Sequence, residues 1–199
     1  MRIVLASQSP SRAAILRSAG VDPVLHPAHV DEDAIQARLG EAAPATVVAE
    51  LARAKAHAVA ADYPGDVVIG GDSMLLLDNQ LQGKPHTEAA TIERWRAQAG
   101  STAQLLTGHC LLFGEQSFVE TSTTEIHFAD ASERDIQAYA ASGEPWQCAG
   151  AFTLEALGGW FIDRIDGDPS SVIGLSLPVV RRALYSFGLE VSQFWSQPS

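Results

Sequence analysis

The spacing of apolar and polar positions changes period several times along the chain, and each change predicts an element. The unbroken apolar run Ile3-Val4-Leu5-Ala6, extended to Ser7, predicts a buried strand over 3–7. Ser9-Pro10-Ser11 then offers capping hydroxyls with an early proline, and Ala13, Ile15 and Leu16 follow before Gly20, which predicts a helix after a short loop. Residues 23–28 read as a short extended piece, and Asp31-Glu32-Asp33 as an acidic turn or helix start. Val47, Leu51, Ala54 and Ala58 recur at helical spacing within 46–60, with Lys55 beside that stripe. Residues 67–69 form a short buried strand that the glycines of Gly70-Gly71-Asp72-Ser73 are expected to end, and 74–77 with the turn Asp78-Asn79-Gln80 and Leu81 resemble a hairpin leading to Gly83-Lys84-Pro85. A helix is predicted over 87–99, strands over 104–113 and 117–128 joined at Gly114-Glu115, and a helix over 132–141 capped by Ser132. Residues 143–159 are loop-rich, 160–165 read as a strand, 177–187 as a final amphipathic helix, and the polar tail from 190 is expected to be poorly ordered. This alternation predicts an α/β fold with a mixed, bent β-sheet flanked by helices, in two lobes around a cleft. No repeat or linker divides the 199 residues, so a single domain over 1–199 is expected.

Composition narrows the function classes. Hydrophobic residues make up 46% and charged residues 19%, too apolar for disorder, and no run approaches the roughly 18 apolar residues of a membrane span. A formal charge of −11 repels polyanions and argues against binding long nucleic acid, while leaving room for a small anion where basic groups converge. Cys110 and Cys148 form no disulfide or zinc spacing and are expected to be inert core thiols. No signal-peptide pattern opens the chain, so a cytoplasmic location is the expectation. Eleven of the thirteen basic residues are Arg; the two lysines, Lys55 and Lys84, are therefore candidates for work that needs a compact point charge, against the alternative of two solvated surface groups.

Four segments carry candidate chemistry. Ser7-Gln8-Ser9-Pro10-Ser11-Arg12 leaves a strand and opens a helix, which offers hydroxyls, backbone N–H groups and a guanidinium at the positive end of a helix dipole, an anion site or ordinary capping. Asp72 follows two glycines at a strand end and suits a metal ligand, a base or a turn residue. Asp31-Glu32-Asp33 suits a divalent cation or complements a helix dipole. Lys84 lies between Gly83 and Pro85, a tightly defined position that suits a phosphate partner without matching a P-loop. The six histidines show no paired ligand spacing.

Together these pieces resemble the Maf family, named for septum formation inhibition and associated with nucleoside triphosphate pyrophosphatase activity. The matching motifs, in order, are Leu5-Ala6-Ser7-x-Ser9-Pro10-x-Arg12, Val30-Asp31-Glu32, Leu51-Ala52-x-x-Lys55-Ala56, Gly71-Asp72-Ser73, Gly83-Lys84-Pro85, Thr107-Gly108, Gly143-Glu144-Pro145, Ala149-Gly150-Ala151-Phe152, Gly167-Asp168-Pro169 and Gly174-Leu175. Two departures stand out: Ser176 occupies a position where the family usually has Pro, and Ser11 and Ala13 replace residues that are often Arg or Trp, and Arg.

The resemblance implies a Maf/inosine-triphosphatase-like fold and a hydrolase, dependent on Mg²⁺ or Mn²⁺, that cuts a nucleoside triphosphate between the α- and β-phosphates. It implies metal binding by Glu32 and Asp72, phosphate binding by Arg12, Lys55 and Lys84 with Ser7 and Ser9, a base role for Asp72, and nucleobase recognition by Ser11, Ser73 and Glu155. It also implies house-cleaning of non-standard nucleotides, with a link to cell-division arrest, and it allows a homodimer. Glu144-Pro145-Trp146-Gln147-Cys148-Ala149-Gly150, with Glu155 downstream, looks more like the subgroup linked to 7-methyl-GTP or CTP than the dTTP/UTP subgroup. Two alternatives are a nucleotide-binding division regulator without turnover and the related inosine triphosphate hydrolases.

Overall fold

A computed structural model describes residues 1–196. Seven strands are paired in the order β2 (Val24–Leu25), β1 (Ile3–Leu5), β3 (Val67–Leu77), β5 (Thr102–Phe113), β6 (Gln116–Phe128) and β7 (Ile162–Asp166), with β4 (Gln80–Gln82) on β3. β1 runs parallel to β2 and β3, whereas β3–β4 and β6–β7 are antiparallel. The helices are α1 (Pro10–Ser18), α2 (Glu32–Leu39), α3 (Pro44–Ala60), α4 (Glu88–Gln98), α5 (Glu133–Ala141), α6 (Pro169–Ile173) and α7 (Leu177–Ser186). The mixed α/β class expected from the sequence is present.

The chain divides into two compact units. The first comprises 1–72, 107–122 and 174–199; the second comprises 73–106 and 123–173. In the first, Val4, Ala6, Val68, Cys110 and Leu112 pack with Ala52, Ala56 and Val59 of α3. The buried face of α3 is Val47, Val48, Leu51, Ala52, Ala56 and Val59, so the stripe read through Ala54 and Ala58 is corrected: Ala58 is exposed. The reason is backbone proximity. A Cβ on Gly70 would lie 2.2 Å from the Ala52 carbonyl oxygen, and one on Gly108 2.3 Å from that of Val48, so the main chain of α3 sits directly against bare strand backbone.

The same contact corrects the reading of β3. The glycines do not end a strand at 69; β3 continues through Gly70, Gly71 and Asp72 to Leu77, and Asp72 stands inside it. Ser176 accepts a hydrogen bond from the Val179 N–H as the N-cap of α7, with Pro178 in the first turn, so the departure at this position is a capping solution. Of the tail expected to be poorly ordered, Val191–Phe194 form a 3-10 turn with Phe194 buried, and the Ser196 N–H donates to the Gly20 carbonyl; 197–199 lie outside the described residues.

The second unit is centred on Trp95, fully buried, which meets Phe128, Tyr139 and Phe161 edge-on and donates from its indole N–H to the Ala151 carbonyl at 2.7 Å. The loop-rich segment contains 3-10 turns at Glu144–Gln147, Ala149–Ala151 and Leu157–Phe161, and the strand expected over 160–165 is β7, two residues later at its start.

Candidate active site

The first unit gathers Ser7, Ser9, Arg12, Glu32, Lys55 and Asp72. Ser9 is the N-cap of α1, and its hydroxyl accepts from the Arg12 N–H at 3.4 Å; the Ser9 N–H in turn donates to Ser7 Oγ at 3.1 Å. Pro10 in the first turn fixes the helix entry. Arg12 points inward, 9% exposed, and donates from Nε to the Gly174 carbonyl at 2.7 Å and from Nη1 to Ser7 Oγ at 3.2 Å. Burial lowers its pKa, partly offset by Asp72 and Glu32. The loop is therefore both a helix cap and a mount for a buried cation.

Lys55, on α3, projects between two carboxylates. Its Nζ lies 2.7 Å from Asp72 Oδ1 and 2.8 Å from Glu32 Oε1. Glu32 starts α2, which Asp31 caps by accepting from the Ala34 N–H at 2.9 Å. Of the three partners Glu32 is the most accessible, at 45% side-chain exposure against 11% for Lys55 and 9% for Asp72. The compact ammonium group can bridge two acids with separate donors, which a planar guanidinium would meet with different directions.

Asp72 has the most unusual environment. Its Oδ1 is held by Lys55, while Oδ2 is buried and has no hydrogen-bond partner among the described residues. Burial raises its pKa; Lys55 and Arg12 oppose that shift, and Glu32 adds to it. A carboxylate raised from its ordinary range, with one oxygen uncommitted, is suited to take a proton or to ligate a hard cation. The oxygen donors of Asp72 and Glu32 suit a hard divalent cation, with Oδ2 of Asp72 the uncommitted oxygen, while Asp72 Oδ1 and Glu32 Oε1 are held by Lys55.

The remaining candidates are distributed otherwise. Ser11 lies half-buried in the first turn of α1. Ser73, Lys84 and Glu155 belong to the second unit. Lys84 is exposed between half-buried Gly83 and buried Pro85, and its own carbonyl and that of Gly83 accept from Arg94 at 3.5 and 2.5 Å. Glu155 is exposed, with Oε2 accepting from the Leu154 N–H at 3.1 Å.

Sequence reading missed two groups. Glu125, His127 and Asp166 bring their ligand-type atoms within 4.8 Å of one another, but the Arg164 guanidinium donates to Asp166 and lies 3.2 Å from His127 Nε2, so a cation already sits among them. The period-2 spacing of Glu125 and His127 was the available signal; Asp166 comes from a different strand. The second group is the set of donors around Glu144, described below.

The sequence model described as Maf-like protein matches residues 2–187. A protein of Corynebacterium aurimucosum named nucleoside triphosphate pyrophosphatase is 73% identical over 197 residues, covering 99% of this chain and all of its own length. Proteins with the same name from Corynebacterium efficiens and Nocardia farcinica are 74% and 55% identical, covering 99% of this chain and 100% and 98% of their own lengths. With its family motifs in order and the match running over nearly its whole length, the chain belongs to the Maf-like protein family.

Proposed function

We propose that the protein is a nucleoside triphosphate pyrophosphatase, releasing nucleoside monophosphate and pyrophosphate, with residues 1–199 working as one catalytic domain. The observation that carries this reading is the Arg12–Asp72–Lys55–Glu32 cluster, buried at Arg12 and Asp72 and open at Glu32, with Asp72 Oδ2 uncommitted, in a chain whose close relatives bear that name.

Glu32 and Asp72 would hold the divalent metal, Mg²⁺ or Mn²⁺, and when bound it supplies neutralisation of the triphosphate charge. Asp72 accepts a proton from the attacking water; the water oxygen bonds to the α-phosphorus, the bond to the bridging oxygen breaks, and pyrophosphate leaves with that oxygen. Arg12, with Ser7 and Ser9, binds phosphate oxygens at the start of α1, and Lys55 orients Asp72 and favours its ionised form against burial while contributing positive charge to the leaving pyrophosphate. Lys84 is assigned to phosphate binding and Ser11, Ser73 and Glu155 to the nucleobase, an assignment supported by the family resemblance. No described helix is long and apolar enough to cross a membrane, which is compatible with action on soluble nucleotides in the cytoplasm.

The test is product identity. Incubated with Mg²⁺ or Mn²⁺ and a panel of normal and modified triphosphates, the purified protein is expected to release pyrophosphate, and chelation of the metal to stop it. Orthophosphate as the primary product would exclude attack at the α-phosphate.

A further inference from the structure

We propose that Glu144 is a positioning residue for nucleobase selection, acting by fixing the loop that carries Glu155. The proposal rests on the reading of Glu155 as a base-contacting residue. Its ground is the density and direction of hydrogen bonds on one half-buried carboxylate. Glu144 Oε1 accepts from Thr153 Oγ1 at 2.5 Å, from the Gly158 N–H at 3.1 Å and from the Tyr139 hydroxyl at 3.3 Å, while Oε2 accepts from the Leu157 N–H at 3.2 Å. Tyr139 adds a second tie, because its hydroxyl also accepts from the Thr153 N–H at 3.1 Å.

These bonds grip the segment at 153 and again at 157–158, on either side of Glu155. The residues between, 154–156, have no such anchor from Glu144, and Glu155 itself is exposed. One carboxylate therefore clamps both ends of a short loop and leaves its charged tip presented to solvent. Such an arrangement sets where the Glu155 side chain starts without engaging it. Burial alone would raise the Glu144 pKa, but the donors at Thr153, Gly158, Leu157 and Tyr139 outweigh it and hold the group below its ordinary value, so it is an acceptor for all of them at neutral pH.

The backbone of the same turn does different work. The Trp146 carbonyl accepts from the His86 N–H at 2.9 Å and the Gly150 N–H donates to the Gly83 carbonyl at 3.2 Å, which brackets Lys84. The Cys148 thiol lies near both charges, Lys84 lowering its pKa and Glu155 raising it, with burial the largest influence. The turn thus supports the lysine through main-chain bonds and the Glu155 loop through one side chain. A side-chain substitution at Glu144 separates the two functions: it frees the loop and leaves the support of Lys84 in place.

The experiment compares Glu144→Gln, Glu155→Gln and the double variant by kcat/KM for the fastest and second-fastest cleaved of ATP, CTP, GTP, UTP and dTTP. Gln keeps the side-chain length but turns an amide N–H₂ toward a backbone N–H or hydroxyl, so the clamp loses at least one bond. The expected result is a change of at least ~3-fold in the preference ratio in Glu144→Gln, in the same direction as Glu155→Gln, carried by KM more than kcat, and no further change in the double variant. A shifted ratio in Glu155→Gln with an unchanged ratio in Glu144→Gln overturns the positioning role and leaves the base reading standing. Unchanged ratios in both overturn the base reading and the proposal with it, as does absence of turnover on all five nucleotides. Shifts that add in the double variant overturn action through Glu155. Tyr139→Phe, which removes one hydroxyl from the same network, is expected to move the ratio in the same direction by less and takes the place of Glu144→Gln if that variant does not fold.

Discussion

Asp72 and Glu144 are carboxylates with opposite fates. Asp72, in the first unit, stands beside two cations, and yet its pKa is raised, because burial outweighs Lys55 and Arg12. Glu144, in the second, has neutral N–H and O–H donors, and yet its pKa is lowered. Net charge nearby is therefore a poor guide to the state of a carboxylate; what separates the two is how completely each oxygen is bonded. Both oxygens of Glu144 are committed, which fixes it as a structural anion, whereas Oδ2 of Asp72 is buried and uncommitted, an oxygen left available to a proton or a ligand.

The strongest way to break this comparison is Asp72→Asn. The amide preserves shape and cannot accept the proton, so kcat is expected to fall at least ~100-fold, within the usual span of general-base effects, with the fold intact by circular dichroism. Near-normal turnover would move the base elsewhere, with Glu32 the next candidate.

A smaller effect is expected at Lys84→Arg. Charge is kept, but a planar fork replaces a point charge on a segment whose backbone is fixed at Gly83 by Arg94 and Gly150. The expected loss is ~10-fold in kcat/KM, about 1.4 kcal/mol of transition-state stabilisation, while Arg at a site requiring only charge would cost almost nothing. Full activity in Lys84→Arg would make the scarcity of lysine in this chain irrelevant to its chemistry.

The smallest effects, and the sharpest on the comparison itself, are pH slopes of opposite sign. A raised folded-state pKa means that the stability contributed by Asp72 is fully present below its unfolded value and is lost as pH rises through the folded value. For Glu144 the folded pKa is depressed, so its contribution is present above its unfolded value and is lost as pH falls through the folded value. From about pH 3.8 upward, unfolding free energies should therefore shift in favour of Asp72→Asn, relative to the unsubstituted protein, as pH rises, whereas the shift against Glu144→Gln with rising pH lies below about pH 4.5. Parallel slopes in the two variants would contradict the contrast.

Much of the first unit's site was legible because its parts are local. The strand, the serine caps, the early proline and Arg12 fall within a few residues of one another, and spacing alone puts them at a helix start. The link from Lys55 to Asp72 and Glu32 was not legible as a contact, because it spans 17 and 23 positions and depends on how α3 meets β3 and on where α2 begins. The glycine pair before Asp72 misled for a physical reason: two glycines ordinarily interrupt a strand, and here Gly70 lets it run on under closely packed α3 while Gly71 lies against the Arg12 side chain. The Glu144 clamp was hidden because half of its donors are main-chain N–H groups, which every residue but proline carries and no sequence pattern marks. Gly143-Glu144-Pro145 could be quoted as a motif, but its purpose required the positions of Thr153, Leu157 and Gly158.

The bare backbone of Gly70 and Gly108 under α3 also shapes how this enzyme can vary through mutation. With a hypothetical Cβ only 2.2 and 2.3 Å from main-chain carbonyls, even alanine at either position has to push the helix outward. Lys55 rides on that helix and Asp72 on the strand beneath it, so an added methyl group two residues from Asp72 translates into a longer ammonium–carboxylate distance. Damage to turnover would then arise from a residue that touches no substrate and carries no chemistry. Lineages free to change their nucleotide preference at exposed loops would remain bound to glycine at two hidden sites.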